Sequence, residues 1–405
     1  MQINMQLEDD LKNQFESICN NVGLNTEMAI TIFVNTMLQE NKMPFDLVLK
    51  TGYTERRKKL ELRQLKLEKA KRFERQINIA LSNYSKSEHD KMKQKIIDDI
   101  YDIEDTTNFI PFEYFRMRLY RMDKSEWLNN YLADSDTFVL TERLNTCETN
   151  FDVSNKYEIY KRFKKYYKRD VMCATSKSDA LEFSDFVKKH GKVLLKPLRG
   201  SLGQNIRVIS LQDIEADLNY IDILLKDYPK GVLVEELIDQ NDVMKSLNPA
   251  STNTLRIMTL RLDDEIRTYV ALRIGTKNFI TDALSNGGLT GRIDLETGEI
   301  LDVRSSSGER FEKNPGCGAQ LIGVKIPDIQ GAINLAKELA NKMPNYRYVG
   351  WDLALSKNGW VMIEFNGKSG VAVLQTALDR GLKKEFVEIF KKLNKPIDFP
   401  LKNKE

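Results

Sequence analysis

Three oxygen-bearing side chains late in the chain, Asp352, Glu364 and Asn366, have the types and spacing to hold a hard cation. Glu364 and Asn366 are two residues apart in the apolar run Trp360-Val361-Met362-Ile363-Glu364-Phe365-Asn366, so on a strand they share a face. Asp352 lies in a matching run, Val349-Gly350-Trp351-Asp352-Leu353-Ala354-Leu355. The Ser356-Lys357-Asn358-Gly359 between them ends in the Asn-Gly pair of a tight hairpin. Two carboxylates and an amide on a rigid sheet suit Mg2+ carrying nucleotide phosphates, provided the register brings Asp352 across. The same pattern also describes a hairpin whose polar residues only face water.

Cations recur where apolar sequence should exclude them. Val193-Leu194-Leu195-Lys196-Pro197-Leu198 reads as a buried strand, and Lys196 is hard to explain as core. It runs into Arg199-Gly200-Ser201-Leu202-Gly203-Gln204-Asn205 and then a second strand, Ile206-Arg207-Val208-Ile209. A Gly/Ser turn backed by a lysine can wrap its amides around phosphate oxygens, although most such turns only reverse the chain. It is not a Walker loop, because no GxxxxGK[ST] precedes a helix. Arg256 and Arg273 each interrupt an apolar strand, and a buried guanidinium requires a carboxylate or an anionic ligand. The run 231–238 is another buried strand, ending on Glu235 and Glu236. Asn155 caps a basic helix that opens with Lys156.

The elements that must carry these groups follow from the pattern. Helical periodicity dominates from Pro111, strands follow, and an amphipathic helix over 329–341 leads into the hairpin. With 405 residues, 41% hydrophobic and 30% charged, the chain has room for two or three domains and a sizeable core. The net charge of +3 does not by itself indicate nucleic acid. Four scattered cysteines without CxxC spacing suggest neither a zinc ribbon nor a disulfide framework. Two histidines, His89 and His190, disfavour histidine metal sites and Ser-His-Asp catalysis. No apolar run approaches the ~18 residues of a membrane span and no leader pattern is present, so a cytoplasmic location is expected.

Residues 1–50 read as strand, helix, helix. Gln2-Ile3-Asn4-Met5-Gln6-Leu7 alternates, a helix follows from Asp9/Asp10, and a second begins at Asn25/Thr26. Fifty residues cannot bury both apolar faces alone, so a homodimer is expected. With Gly23-Leu24-Asn25-Thr26, Ala29-Ile30-Thr31-Ile32-Phe33 and Met43-Pro44-Phe45, the segment resembles the ribbon-helix-helix repressors, and among them the antitoxins of toxin–antitoxin operons. That resemblance implies strand pairing between two chains and, as an open alternative, DNA contact through Gln2, Asn4 and Gln6. Residues 51–105 read as a charged helical connector. Between 54 and 76 it carries ten Lys or Arg against four Glu, and Leu60, Leu67 and Leu81 fall at heptad spacing. A solvated spacer, a short coiled coil or a DNA-backbone patch would each fit.

Residues 106–405 form the third domain. The order strand-Lys, Gly-rich turn, strand-Glu-Glu, Arg-strand and Asp…Glu-x-Asn over roughly 106–395 resembles the ATP-grasp ligases, in particular their sugar-transfer-associated branch. Its carriers are Asn253-Thr254-Leu255-Arg256, Gly287-Gly288, Asp294-Leu295-Glu296-Thr297-Gly298, Val349-Gly350-Trp351-Asp352 and Ile363-Glu364-Phe365-Asn366. The resemblance implies an α+β fold in which two lobes clamp ATP. Lys156 and Lys196 would hold phosphates, with Gly200, Ser201 and Gly203 closing over them. The strand end Glu235, Glu236 and Leu237 would border adenine, and Asp242 the ribose. Asp352, Glu364 and Asn366 would hold Mg2+, while Arg256, with Lys196 and Arg273, would serve the phosphoryl transfer. The implied activity is an ATP- and Mg2+-dependent carboxylate–amine ligase working through an acylphosphate, on amino acids or sugar-linked substrates of surface polysaccharide. A DNA-binding regulator that senses nucleotide, and a phosphotransferase on the same scaffold, are the alternatives.

Overall fold

The computed structural model describes residues 8–41, 51–82, 84–146, 148, 151–200, 205–215, 220–276, 281–397 and 399. The chain divides into two compact units, Met1–Leu65 and Lys66–Glu405.

In the first unit the two expected helices are Asp9–Asn21 and Thr26–Glu40. Asp9 and Asp10 sit in the first turn of one, where negative charge complements the helix dipole. The Asn25 side chain caps the other by accepting from Met28 N at 2.8 Å. Gly23, at φ +73°, supplies the left-handed turn between them. The expected strand with Gln2, Asn4 and Gln6, and the Met43-Pro44-Phe45 segment, lie outside the described residues.

The connector packs differently from its heptad pattern. Leu60 and Leu67 are exposed. The third heptad leucine, Leu81, is buried with Ala70, Ile77, Ala80, Ile96 and Ile100, in one cluster with Phe109, Phe115 and Trp127. Two of the basic residues turn toward the helix Lys86–Thr106: Lys66 pairs with Asp98 and Lys69 donates to Tyr101 O at 2.8 Å. Long lysine stems can cover apolar surface while their heads reach a partner, so charge did not keep this face in water.

Two antiparallel sheets carry the remainder. The smaller contains β1 (Val171–Ala174), β2 (Lys192–Pro197), β3 (Arg207–Ser210) and β4 (Val232–Glu236), in the order β1-β4-β2-β3. Alternation sends Val193, Leu195, Val232 and Val234 into a core with Phe183, Val187 and Leu224. Lys196, Leu233 and Glu235 therefore share its other face.

The larger sheet comprises β5 (Thr254–Arg261), β6 (Ile266–Ile274), β7 (Leu289–Ile293), β8 (Ile300–Arg304), β9 (Tyr348–Ser356) and β10 (Gly359–Asn366). Its order is β10-β9-β5-β6-β7-β8, so β10 is an edge. One face buries Leu255, Ile257, Leu272, Trp351 and Leu353 with Phe163 of the helix Lys156–Tyr167 and with the helix Ile329–Asn341. The other buries Met258, Leu260, Ala271 and Tyr348 with Phe386 and Phe390. No helix among the described residues is long and apolar enough to cross a membrane.

Candidate functional site

β9 and β10 form the hairpin expected from the sequence, with one irregularity. Met362 faces Leu353 and Glu364 faces Asp352, so Ile363 is an extra residue at a β-bulge. Strict alternation from Trp360 and Met362 would have put Glu364 on the apolar face. The bulge returns Phe365 to that core and turns Glu364 and Asn366 to the opposite side. Asp352 in turn faces Arg256 on β5, so Glu364, Asp352 and Arg256 form one row across three strands.

That row is an ion network. Arg256 grips Asp352 through Nε and through a second nitrogen, which donates to Oδ2 at 2.9 Å. Arg273 donates to the same Oδ2 at 3.1 Å and pairs with Asp282 at 3.0 Å. The Asn366 amide lies 3.4 Å from Asp352 Oδ2. Burial drives the Asp352 pKa upward, but the two guanidiniums outweigh it and hold the carboxyl below its ordinary range. Asp282 is pushed up by burial, which Arg273 only partly offsets.

Beside this network a cleft of ≈ 330 Å³ lies between the polar face of the small sheet and the end of β10. Lys156, Lys196, Gly200, Glu235, Glu364 and Asn366 all line it, with Tyr167 and Lys368. Lys156 opens its helix beneath the Asn155 cap, which accepts from Tyr157 N at 2.9 Å. Its ammonium donates to Gly200 O at 2.6 Å and stands 3.7 Å from Glu364. Burial lowers the Lys156 pKa, with Glu364 opposing the shift. Lys196 pairs with Glu235 at 3.0 Å. Burial pushes Glu235 up, and Arg169 and Lys196 together bring it below its ordinary value.

The family model for sugar-transfer associated ATP-grasp proteins matches residues 138–391. The chain belongs to this family.

Its fold is accordingly the α+β ATP-grasp fold. The RelB antitoxin family model matches residues 1–75. No curated protein matches the chain. Among solved structures it is similar to D-alanyl-alanine synthetase A of Vibrio cholerae, at 10% identity over 59% of this chain and 65% of that one, with a TM-score of 0.38. The VanG D-Ala:D-Ser ligase of Enterococcus faecalis gives 12% identity, 59% and 61% coverage and a TM-score of 0.37. The ATP-grasp ligase PsnB, complexed with minimal precursor, gives 13%, 60%, 60% and 0.35. The chain thus spans 60–65% of the length of these three proteins.

Within the ATP-grasp unit the expected site residues that are described fall into three groups. Lys156, Lys196, Gly200, Glu235, Glu364 and Asn366 meet in the cleft. Arg256, Arg273 and Asp352 form the adjoining network behind Glu364 and Asn366, with Asp352 buried. Glu236, Leu237 and Asp242 are not among the lining residues. The Glu236 carboxylate accepts from Asp170 N at 3.0 Å, Leu237 is exposed, and Asp242 opens the short helix Asp242–Leu247. Ser201 and Gly203 lie outside the described residues.

Mg2+ fits the donor set at the end of β10. Glu364 is about one third exposed at the cleft wall, with Lys156 as its cationic neighbour, and Asn366 stands beside it. Both Asp352 oxygens are occupied by arginine, so Asp352 holds the arginines in this arrangement and adjoins the donor pair.

Sequence reasoning missed Arg169, Asp282 and Lys368. Arg169 stands just before β1 in a run of basic residues, which reads as a solvated surface, yet its side chain is 4% exposed. Asp282 precedes Gly287-Gly288 by a few residues and could have been sought as a partner once Arg273 was recognised as buried. Lys368 follows Asn366 by two residues and carries no periodic signal.

Proposed function

We propose that this chain is an ATP- and Mg2+-dependent carboxylate–amine ligase. The observation that carries the reading is the convergence of two lysines, Gly200, Glu364 and Asn366 on one cleft in a chain of the ATP-grasp family. Lys156 and Lys196 bind the triphosphate, and Lys156 bridges Gly200 to Glu364. A donor carboxylate oxygen attacks the γ-phosphorus, the bond to the bridging oxygen breaks, and ADP leaves. The acceptor nitrogen then adds to the acyl carbon, inorganic phosphate leaves, and the nitrogen loses a proton as the amide forms. Charge grows on phosphoryl and carbonyl oxygens in both steps, and fixed ammonium and guanidinium groups stabilise it without a histidine. Bound at Glu364 and Asn366, Mg2+ would neutralise phosphate charge. Arg256 and Arg273, locked by Asp352, keep the cationic side of the site from relaxing.

Family membership points to a donor or acceptor from sugar-transfer chemistry, such as an amino acid joined to a sugar-linked group of surface polysaccharide. The test is ADP release against a panel of amino acids and amino sugars, followed by product mass. An amide weighs the two substrates less one water. A product heavier by one phosphate group would replace ligation with phosphotransfer, and no ADP release with any pair would remove the enzyme reading.

The N-terminal unit serves to pair two chains. Leu11, Ile18, Met28, Ile32 and Leu38 are exposed on its two helices, and the helix Thr26–Glu40 buries none of its residues fully. A second copy of the same unit, in ribbon-helix-helix fashion, is the occupant that the RelB match supports. Operator binding through Gln2, Asn4 and Gln6 is the second reading. Gel-shift of the chain's own promoter fragment tests it, and binding that survives loss of ATP turnover would make the protein a regulator as well. A cytoplasmic location belongs to the same proposal.

A further inference from the structure

Arg169 makes four hydrogen bonds that no part of the mechanism uses. Its Nε and one terminal nitrogen donate to Glu235 Oε2, at 3.0 and 2.6 Å. Its other terminal nitrogen donates to Met362 O at 2.8 Å and to Tyr167 O at 3.1 Å. The guanidinium also lies 4.5 Å from the centre of the Tyr167 ring. Glu235 stands on the small sheet and holds Lys196, whereas Met362 is the residue at which the β10 register shifts.

The consequence is geometric. A bulge interrupts the ladder and frees backbone groups that need other partners. Here the carbonyl next to the extra Ile363 accepts from a guanidinium whose Nε and second terminal nitrogen are fixed to Glu235 on the small sheet. Lys196 and Glu364 therefore share one rigid intermediary: Lys196 through Glu235, and Glu364 through the bulge two residues before it.

We infer that Arg169 is a positioning residue that sets the spacing between the phosphate-holding Lys196 and the cation-holding end of β10. This rests on the ligase reading above. A guanidinium suits the task because its planar fork presents several donors at fixed angles, while a lysine ammonium is a single point charge. Groups that orient metal ligands from behind commonly change metal affinity or activity by ~10–100-fold when lost.

The experiment titrates the full-length protein with ATP, with and without Mg2+, by calorimetry. The wild type comes first: if ATP does not bind, the ligase reading fails and this inference fails with it. Given wild-type binding, Arg169→Gln should raise the Mg2+ concentration for half-saturation, and the Kd for Mg-ATP, by about tenfold. Arg169→Lys, which keeps the charge for Glu235, should recover thermal stability but leave both binding values displaced. Should the Gln variant fail to fold, the Lys variant carries the comparison. Arg169→Lys with wild-type Mg2+ half-saturation, or Arg169→Gln with a lowered melting temperature and unchanged Mg-ATP binding, would reduce Arg169 to a structural ion pair and overturn the inference.

Discussion

Glu364 faces Asp352 across the β9–β10 hairpin, and the pairing exists because Ile363 is looped out of register. The two carboxylates nevertheless play unequal parts. Asp352 is buried and taken up by two arginines, whereas Glu364 is partly exposed and has one lysine nearby. Adjacent positions in one row thus separate a structural anchor from a cleft-lining group.

Glu364→Gln removes a charge without changing shape at a partly exposed position. Stability should stay within about 0.5 kcal/mol of wild type. Mg2+-dependent ATP affinity should fall by ~10–100-fold. Titration calorimetry beside thermal melting reads both, and unchanged Mg-ATP affinity would count against this end of β10 as the cation site.

Asp352→Ala should instead behave as a folding defect. It leaves the largely covered Arg256 and Arg273 without their shared carboxylate, with only Asp282 left for Arg273, and breaking such a pair typically costs about 3–5 kcal/mol. Urea unfolding measures it. A midpoint matching wild type would show that the network relaxes into solvent.

A pH signature should arise from Glu113, away from the cleft. Burial and the neighbouring Asp134 raise its pKa from an ordinary 4.5 to about 7. The folded state therefore holds this proton more tightly than the unfolded chain. The stabilisation is fully present below pH 4.5 and is lost as pH rises through about 7. Melting temperatures at pH 5 and pH 8 should show this downward trend, and Glu113→Gln should flatten it. An unaltered slope in the variant would assign the trend to other groups.

Removal of residues 1–50 should give monomers by light scattering while ATP binding by the remainder persists. The exposed apolar residues of the helix Thr26–Glu40 are the reason to expect an N-terminal partner. A surviving dimer would move the contact elsewhere.

Sequence alone determined the types of groups available and most of the elements that bear them. Asn25 and Asn155 mark helix starts because an Asn side chain before an apolar-periodic run has few better uses than capping. The helix Ile329–Asn341 and the Asn358-Gly359 hairpin were legible because periods of 3.6 and 2 are local properties. Arginines inside apolar strands announced buried ionic partners, although not which ones. Tertiary structure decided the partners. Alternation cannot foresee a bulge, so the run Trp360, Met362, Glu364, Asn366 hid that its second half faces the other way. Leu60 and Leu67 of the connector face water while Leu81, at the same heptad spacing, is buried with Ala70, Ile77 and Ile96, a choice made between distant segments. Arg169 looked like one more surface cation until folding set it between Glu235 and the carbonyl of Met362. Local sequence specifies what a residue can do, but burial and neighbours separated by dozens to hundreds of positions decide which of those things it does.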